Sequence, residues 1–247
     1  MPENEAAPRY VEPLLGIVFD LDGTLILSHH DFGRMRGEVI RIAERHGVAP
    51  GHLHPTEPIA RLLESARNEL EAASVPEGVI FRMEAEVEKS IDAIELEALP
   101  RTVPRPGAAR VLKALGDRGY RLGLLTRSSE VFCRAALDRT GLGTYFSYLR
   151  TRSAAGPAKP SPEALLLLLK EMEVPRDRAL YVGDHQLDLE CAVGARVLFY
   201  GLLDEPPMDG GMTIERFRAA GAKVVAHNLT ELGEMLGLPR SAAVPTP

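Results

Sequence analysis

Short, largely apolar runs recur along the chain at Leu14–Phe19, Tyr120–Thr126, Ala179–Val182, Val197–Tyr200 and Lys223–Ala226. A strand with one wetted face alternates apolar and polar positions. A strand covered on both faces stays apolar, so these runs predict buried strands. Between them the pattern lengthens to a helical period at Gly107–Arg118, Ser129–Thr140, Pro162–Glu173 and Leu187–Val193. Strands alternating with helices predict an α/β fold, a doubly wound parallel sheet with right-handed crossovers.

One stretch breaks the rhythm. From Asp31 to Leu99 no run suits a strand. Ile59, Leu62, Leu63, Ala66 and Leu70 share one helical face, and Ile80, Met83, Val87, Ile91, Ile94 and Ala98 share another. Thr56 and Pro58 supply a start signal for the first helix, and Pro76 precedes the second. The pattern therefore predicts a helical bundle at 31–99, inserted into an α/β core formed by 10–30 and 100–238. Pro100, Pro104 and Pro106 mark the return to the sheet. The closing "PRSAAVPTP", 239–247, reads as a disordered tail.

In an open parallel sheet, ligands bind in the crevice at the carboxyl ends of the strands. Polar groups stand where those ends are predicted: Asp20, Asp22, Gly23 and Thr24 in "FDLDGT", Thr126 in "GLLTRSS", Lys159 in "GPAKPSPEAL", and Asp184 and Asp188 in "VGDHQLDLECA". Four acids in one crevice repel unless a divalent cation sits among them, and carboxylate oxygens suit Mg²⁺. Lys159 and the hydroxyls suit an oxygen-bearing anion such as a phosphate. Gly23 allows a tight turn after Asp22, so the N–H groups of Gly23 and Thr24 are expected to face that anion. A carboxylate beside Mg²⁺ can attack phosphorus, and a second acid two residues on can serve the leaving oxygen and then water.

These motifs, in this order, resemble those of the haloacid-dehalogenase-like hydrolase superfamily, over Gly16–Leu203. The resemblance implies Asp20 as nucleophile and metal ligand, and Asp22 as general acid/base with its backbone carbonyl on the metal. It implies Thr126 and Lys159 as phosphoryl-binding groups, Asp184 as an Mg²⁺ ligand, and Asp188 as support for metal-bound waters or for Lys159. Arg127 is a candidate contact for an acidic substrate. The insert resembles the helical cap of the subgroup that includes phosphoglycolate phosphatase and β-phosphoglucomutase, whose caps select substrate. Leu27 stands where many members of the subgroup carry an acid.

The expected activity is Mg²⁺-dependent hydrolysis of a small phosphomonoester through an aspartyl-phosphate. A sugar-phosphate phosphomutase using the same residues is the alternative, and a non-catalytic binding protein on the same scaffold is a minor one. Dehalogenation is disfavoured by Asp22, because a halide leaves without a proton.

Composition narrows the partners. Hydrophobic residues make up 45% and charged residues 26%, as in an ordinary globular protein. A net charge of −6 gives no electrostatic footprint for nucleic acid or an anionic membrane; the partner expected from the site motifs and the resemblance is a small phosphorylated metabolite. The polar start "MPENEAAPRYVEP" lacks the apolar segment of a signal peptide, and Cys133 and Cys191 have neither metal-ligand nor disulfide-framework spacing. Both point to a cytoplasmic protein with reduced thiols. His29 and His30, at the entry to the insert, are expected to be solvent-facing hinge residues, with Ser128 and Ser129 as a helix cap.

Overall fold

The apolar run ahead of the paired aspartates forms strand β1, Gly16–Phe19, buried along its whole length. The computed structural model describes residues 13–203 and 212–239. After β1 come the short strands β2 (Ile26–Leu27) and β3 (Val103–Pro104), which pair antiparallel across the long insertion between them. The remaining strands are β4 (Arg121–Leu125), β5 (Tyr148–Arg150), β6 (Ala179–Gly183), β7 (Leu198–Leu202) and β8 (Val224–Ala226). These five and β1 form one parallel sheet in the order β5-β4-β1-β6-β7-β8.

That order explains where a site can form. The chain builds outward from β1 through β4 to β5, then crosses to the other side of β1 to lay down β6. Loops leaving β1 and β6 must diverge, which opens a crevice at their carboxyl ends. The register aligns those ends: Phe19 pairs with Leu124 on one side and with Val182 on the other. Asp20, Thr126 and Asp184 therefore leave the sheet at nearly the same level.

Helices α4 (Ala108–Asp117), α5 (Glu130–Thr140), α6 (Pro162–Glu171), α7 (Gln186–Ala195), α8 (Ile214–Ala219) and α9 (Leu229–Met235) complete this α/β layer. Successive strand residues face opposite sides. Val18, Tyr181 and Phe199 pack with Leu165, Leu168 and Leu169 of α6, Leu189 and Ala192 of α7 and Phe217 of α8. Ile17 and Phe19, equally buried, face the other way. Burying both faces explains why the strands read as apolar runs.

Three strands escape the sequence reading. β5 is partly exposed at the sheet edge and reads Tyr-Leu-Arg, while β2 and β3 contain two residues each. Helices α8 and α9 are likewise short, at six and seven residues. Periodicity has too few positions to register in such segments. The tail from Arg240 lies outside the described residues, as does the N-terminal stretch before Pro13.

The chain divides into two compact units, one running up to Ser28 and resuming at Thr102, the other comprising His29–Arg101. The second unit holds α1 (Phe32–Arg45), α2 (Ile59–Ala72) and α3 (Glu77–Ala98). Met35, Val39 and Ile42 of α1 meet Leu62, Ala66 and Leu70 of α2 and Ile80, Met83, Val87 and Ile91 of α3 in a core of its own. Asp31 caps α1 by accepting from the Arg34 N–H at 2.8 Å. His29 is exposed with a left-handed backbone (φ 55°). His30, in contrast to the solvent-facing expectation, is partly buried, its ring edge-on to Phe32 at 5.7 Å.

Candidate active site

Asp20 follows directly from β1, and its N–H continues the ladder to the Val182 carbonyl at 2.9 Å. Its side chain is thus set by the sheet rather than by a free loop. Lys159, on the loop before α6 and 4% exposed, donates to Asp20 Oδ1 at 2.5 Å and to Asp188 Oδ1 at 2.6 Å. Two residues 139 and 29 positions away in sequence are bridged by one buried ammonium.

Asp188 is held from several directions. Tyr181, fully buried on β6, donates its hydroxyl to Asp188 Oδ1 at 2.7 Å, and its ring lies 5.9 Å from Lys159 Nζ. The His185 N–H donates to Asp188 Oδ2 at 3.0 Å, and His185 Nδ1 accepts from the Leu187 N–H, which together close a capping box at the start of α7. A Cβ on Gly183 would meet the Asp188 carboxyl carbon at 2.5 Å, so only glycine leaves Asp188 its place. Both Asp188 oxygens accept from protein donors. Of the two supporting roles anticipated for Asp188, holding Lys159 is the one this geometry displays, and its carboxylate also stands within the acid group described below.

Asp184 accepts the Thr24 hydroxyl at 2.6 Å. Gly23, at φ +84°, brings the turn so close that an added Cβ would lie 2.2 Å from Asp184 Oδ2. This corrects the expectation for the turn. The Gly23 N–H donates to the Ile26 carbonyl at 2.9 Å and so is not directed at an anion, while the Thr24 hydroxyl donates to Asp184. Asp22 turns away from the acid cluster, its carboxylate accepting from the Ser28 N–H at 3.0 Å and the Ser28 hydroxyl at 2.6 Å.

Thr126, 3% exposed, takes its backbone from β5 by donating to the Arg150 carbonyl, and its hydroxyl accepts from the Ser128 N–H at 3.1 Å. Ser129 caps α5, accepting from the Phe132 N–H at 3.2 Å. Arg127 donates to the Lys159 carbonyl at 2.5 Å. That bond ties Arg127 to the Lys159 loop.

Charge accounts for the rest. Burial raises the Asp20 carboxyl to about 7, against the attraction of Lys159 and with the repulsion of Asp188. Asp184 is pushed well above the usual carboxylate range, first by burial, then by repulsion from Asp20 and Asp188. Burial opposes the Lys159 charge, but Asp188 and Asp20 together outweigh it and hold the ammonium protonated. Among the described residues, Asp20, Asp184 and Asp188 bring carboxylate oxygens within 4.8 Å of one another. With all three acids ionised against one protonated lysine, two negative charges would remain, the charge that one divalent cation balances. An all-oxygen donor set fits a hard cation. Asp22 lies outside this carboxylate group, so any metal contact from it would come from its backbone.

Sequence reasoning did not single out Tyr181, Gly183, His185 or Ser28. The available signal was a phenol in an otherwise aliphatic strand, since a buried tyrosine hydroxyl needs a partner.

Residues 14–196 match the family model "haloacid dehalogenase-like hydrolase". A phosphoglycolate phosphatase from Pseudomonas putida (strain KT2440) is 30% identical over 220 residues, covering 82% of this chain and 77% of the relative. Another, from Pseudomonas syringae pv. tomato, is 30% identical over 190 residues, covering 73% of this chain. The chain spans 66% of that relative's length, just under two thirds. A hydrolase of known structure from Pseudomonas syringae superposes with a TM-score of 0.64 at 20% identity, covering 90% of this chain and 97% of its own. Among the described residues no helix is long and apolar enough to cross a membrane.

Proposed function

Because the chain belongs to the haloacid dehalogenase-like hydrolase family, we propose that it is a Mg²⁺-dependent phosphatase that hydrolyses a small phosphomonoester through an aspartyl-phosphate on Asp20. One observation carries the reading: Asp20 is buried at the end of a central strand, against Lys159 and within the Asp184 and Asp188 carboxylate group. Asp20 and Asp184 would hold the cation with their carboxylates, and Asp22 with its backbone carbonyl. Bound there, Mg²⁺ would offset the charge of the acids and of the phosphoryl oxygens.

The chain's own residues then divide the work. An Asp20 carboxylate oxygen attacks phosphorus in line with the ester oxygen, forming the acyl-phosphate as the P–O bond to the leaving group breaks. Asp22 gives its proton to that oxygen, and afterwards takes a proton from the water that attacks the acyl-phosphate phosphorus. Inorganic phosphate leaves and the Asp20 carboxylate is restored. Lys159, fixed by Asp188, attracts the phosphoryl oxygens, and Thr126 borders the same end of the sheet. Ser28 donates to both Asp22 oxygens, so Asp22 must exchange one of these bonds to reach the leaving oxygen.

The helical unit His29–Arg101 is the proposed cap that selects substrate, and 2-phosphoglycolate is a first candidate because relatives carry that activity in their names. Asp20→Asn is expected to abolish Mg²⁺-dependent phosphate release from p-nitrophenyl phosphate while the circular dichroism spectrum is retained. Near-full turnover by that variant would remove Asp20 as nucleophile. A screen of phosphorylated metabolites, scored by kcat/KM and by free phosphate against isomerised product, then fixes the substrate class.

A further inference from the structure

Residues 103–105 form a template along the loop that carries the two aspartates. Val103 pairs with Leu27 and Pro104 with Ile26, and the Arg105 N–H donates to the Leu25 carbonyl at 2.8 Å. The Arg105 side chain extends the same line: Nη1 donates to the Gly23 carbonyl, and Nη2 donates to the Leu203 carbonyl at 2.8 Å, just past β7. One half-buried guanidinium thus ties the turn after β1 to the far side of β6.

We propose that Arg105 is a positioning residue for the nucleophile loop: its guanidinium, forked between the Gly23 and Leu203 carbonyls, locks the peptide on which Thr24 and Asp22 depend. The inference rests on the phosphatase reading of this site, and the argument is geometric. A peptide unit is planar, so gripping the Gly23 carbonyl fixes the plane of the Gly23–Thr24 bond and with it the opposed Thr24 N–H. That plane sets the approach of Gly23 to Asp184, where there is no room for a Cβ, and the aim of the Thr24 hydroxyl at Asp184 Oδ1.

Arginine suits the task because its rigid fork satisfies two acceptors at once, and a bond from a charged donor is stronger than one from a neutral donor. The flanking prolines prepare it. Pro104 and Pro106 fix their own φ, and Pro106 disfavours a helical backbone at Arg105, so the side chain starts from an extended segment.

The test compares Arg105→Met, Arg105→Lys and Arg105→Ala with the wild-type chain. Hydrogen–deuterium exchange read by mass spectrometry should rise in Arg105→Met over residues 20–28, while β6 and helices α1–α3 keep wild-type protection. With p-nitrophenyl phosphate and Mg²⁺, kcat should fall about 10- to 100-fold while KM changes little, as expected when reacting groups are misaligned rather than substrate binding lost. Arg105→Lys should recover only part of kcat, since one ammonium cannot span both carbonyls in the fork geometry. Guanidinium ion at a non-denaturing concentration should restore turnover to Arg105→Ala, an effect that a loss of stability alone would not produce.

Unchanged exchange at 20–28 would overturn the proposal, as would wild-type kcat in a folded Arg105→Met. If the wild-type chain released phosphate from no substrate, the phosphatase reading would fall, and the exchange measurement by itself would still decide whether Arg105 locks the loop.

Discussion

Gly23 shows how one missing methyl shapes the site. Its backbone is left-handed, which costs a non-glycine residue roughly 1–2 kcal/mol. The larger effect is spatial, because a Cβ would lie 2.2 Å from Asp184 Oδ2. Gly23→Ala is therefore expected to displace Asp184, weaken divalent-cation binding in calorimetry and lower kcat/KM by about 100-fold, the scale of a misplacement near 1 Å. A folded Gly23→Ala chain with wild-type cation affinity would show that Asp184 tolerates the shift. At this scale the sequence displayed the charged residues well, since buried acids and a buried lysine at strand ends are conspicuous. It hid the residues whose part is to leave room or to orient a neighbour. Gly183 and Ser28 carry no unusual chemistry, and their importance comes from contacts with Asp188 and Asp22.

At the scale of elements, the strands covered on both faces were legible and the marginal ones were not. β1, β4, β6, β7 and β8 appear within two residues of the ends predicted from apolar runs. β2, β3 and β5 exist because a neighbour holds them, and a single sequence does not display its neighbours. Helix α1 carries a comparable signal, with Met35, Val39, Ile42 and Ala43 at helical spacing on one face, although the reading of 31–99 named only the two later stripes. Pairing between helices is also invisible in sequence. Arg67 on α2 grips Glu84 on α3 with two parallel bonds, Nε to Oε1 at 2.8 Å and Nη2 to Oε2 at 2.9 Å, and adds Glu71 and Glu77 through Nη1. A bidentate, networked pair contributes more than an isolated surface pair, though solvent screens part of it. Arg67→Lys is expected to lower stability in urea by about 1 kcal/mol, with a smaller difference at high salt. A loss that does not depend on salt would assign the effect to packing of the side-chain stem instead.

For the whole molecule, two separate cores matter more than any one contact. The helical unit buries its own apolar residues, with Leu62 fully enclosed by α1 and α3. Leu62→Ala is expected to cost about 2–5 kcal/mol through the cavity it leaves. Hydrogen exchange should then accelerate across α1, α2 and α3 while β1, β4 and β6 keep their protection. Uniform acceleration through the sheet would instead mean that the two units unfold as one. The α/β architecture could be anticipated because it follows from the order of strands and helices. The convergence of Asp20, Lys159 and Asp188 could be placed only at one end of the sheet, because the contacts themselves depend on loop paths that periodicity does not encode.

The pairing of β2 with β3 also bears on how such a chain can be rebuilt. Leu27 and Val103 lie opposite each other in an antiparallel ladder, so the two points where the chain departs and returns are separated by only about 5 Å. Seventy-odd residues hang from a doorway one strand-spacing wide. The β2–β3 pair thus works as a socket: a module whose own ends meet at that spacing is compatible with the register of Leu27 opposite Val103.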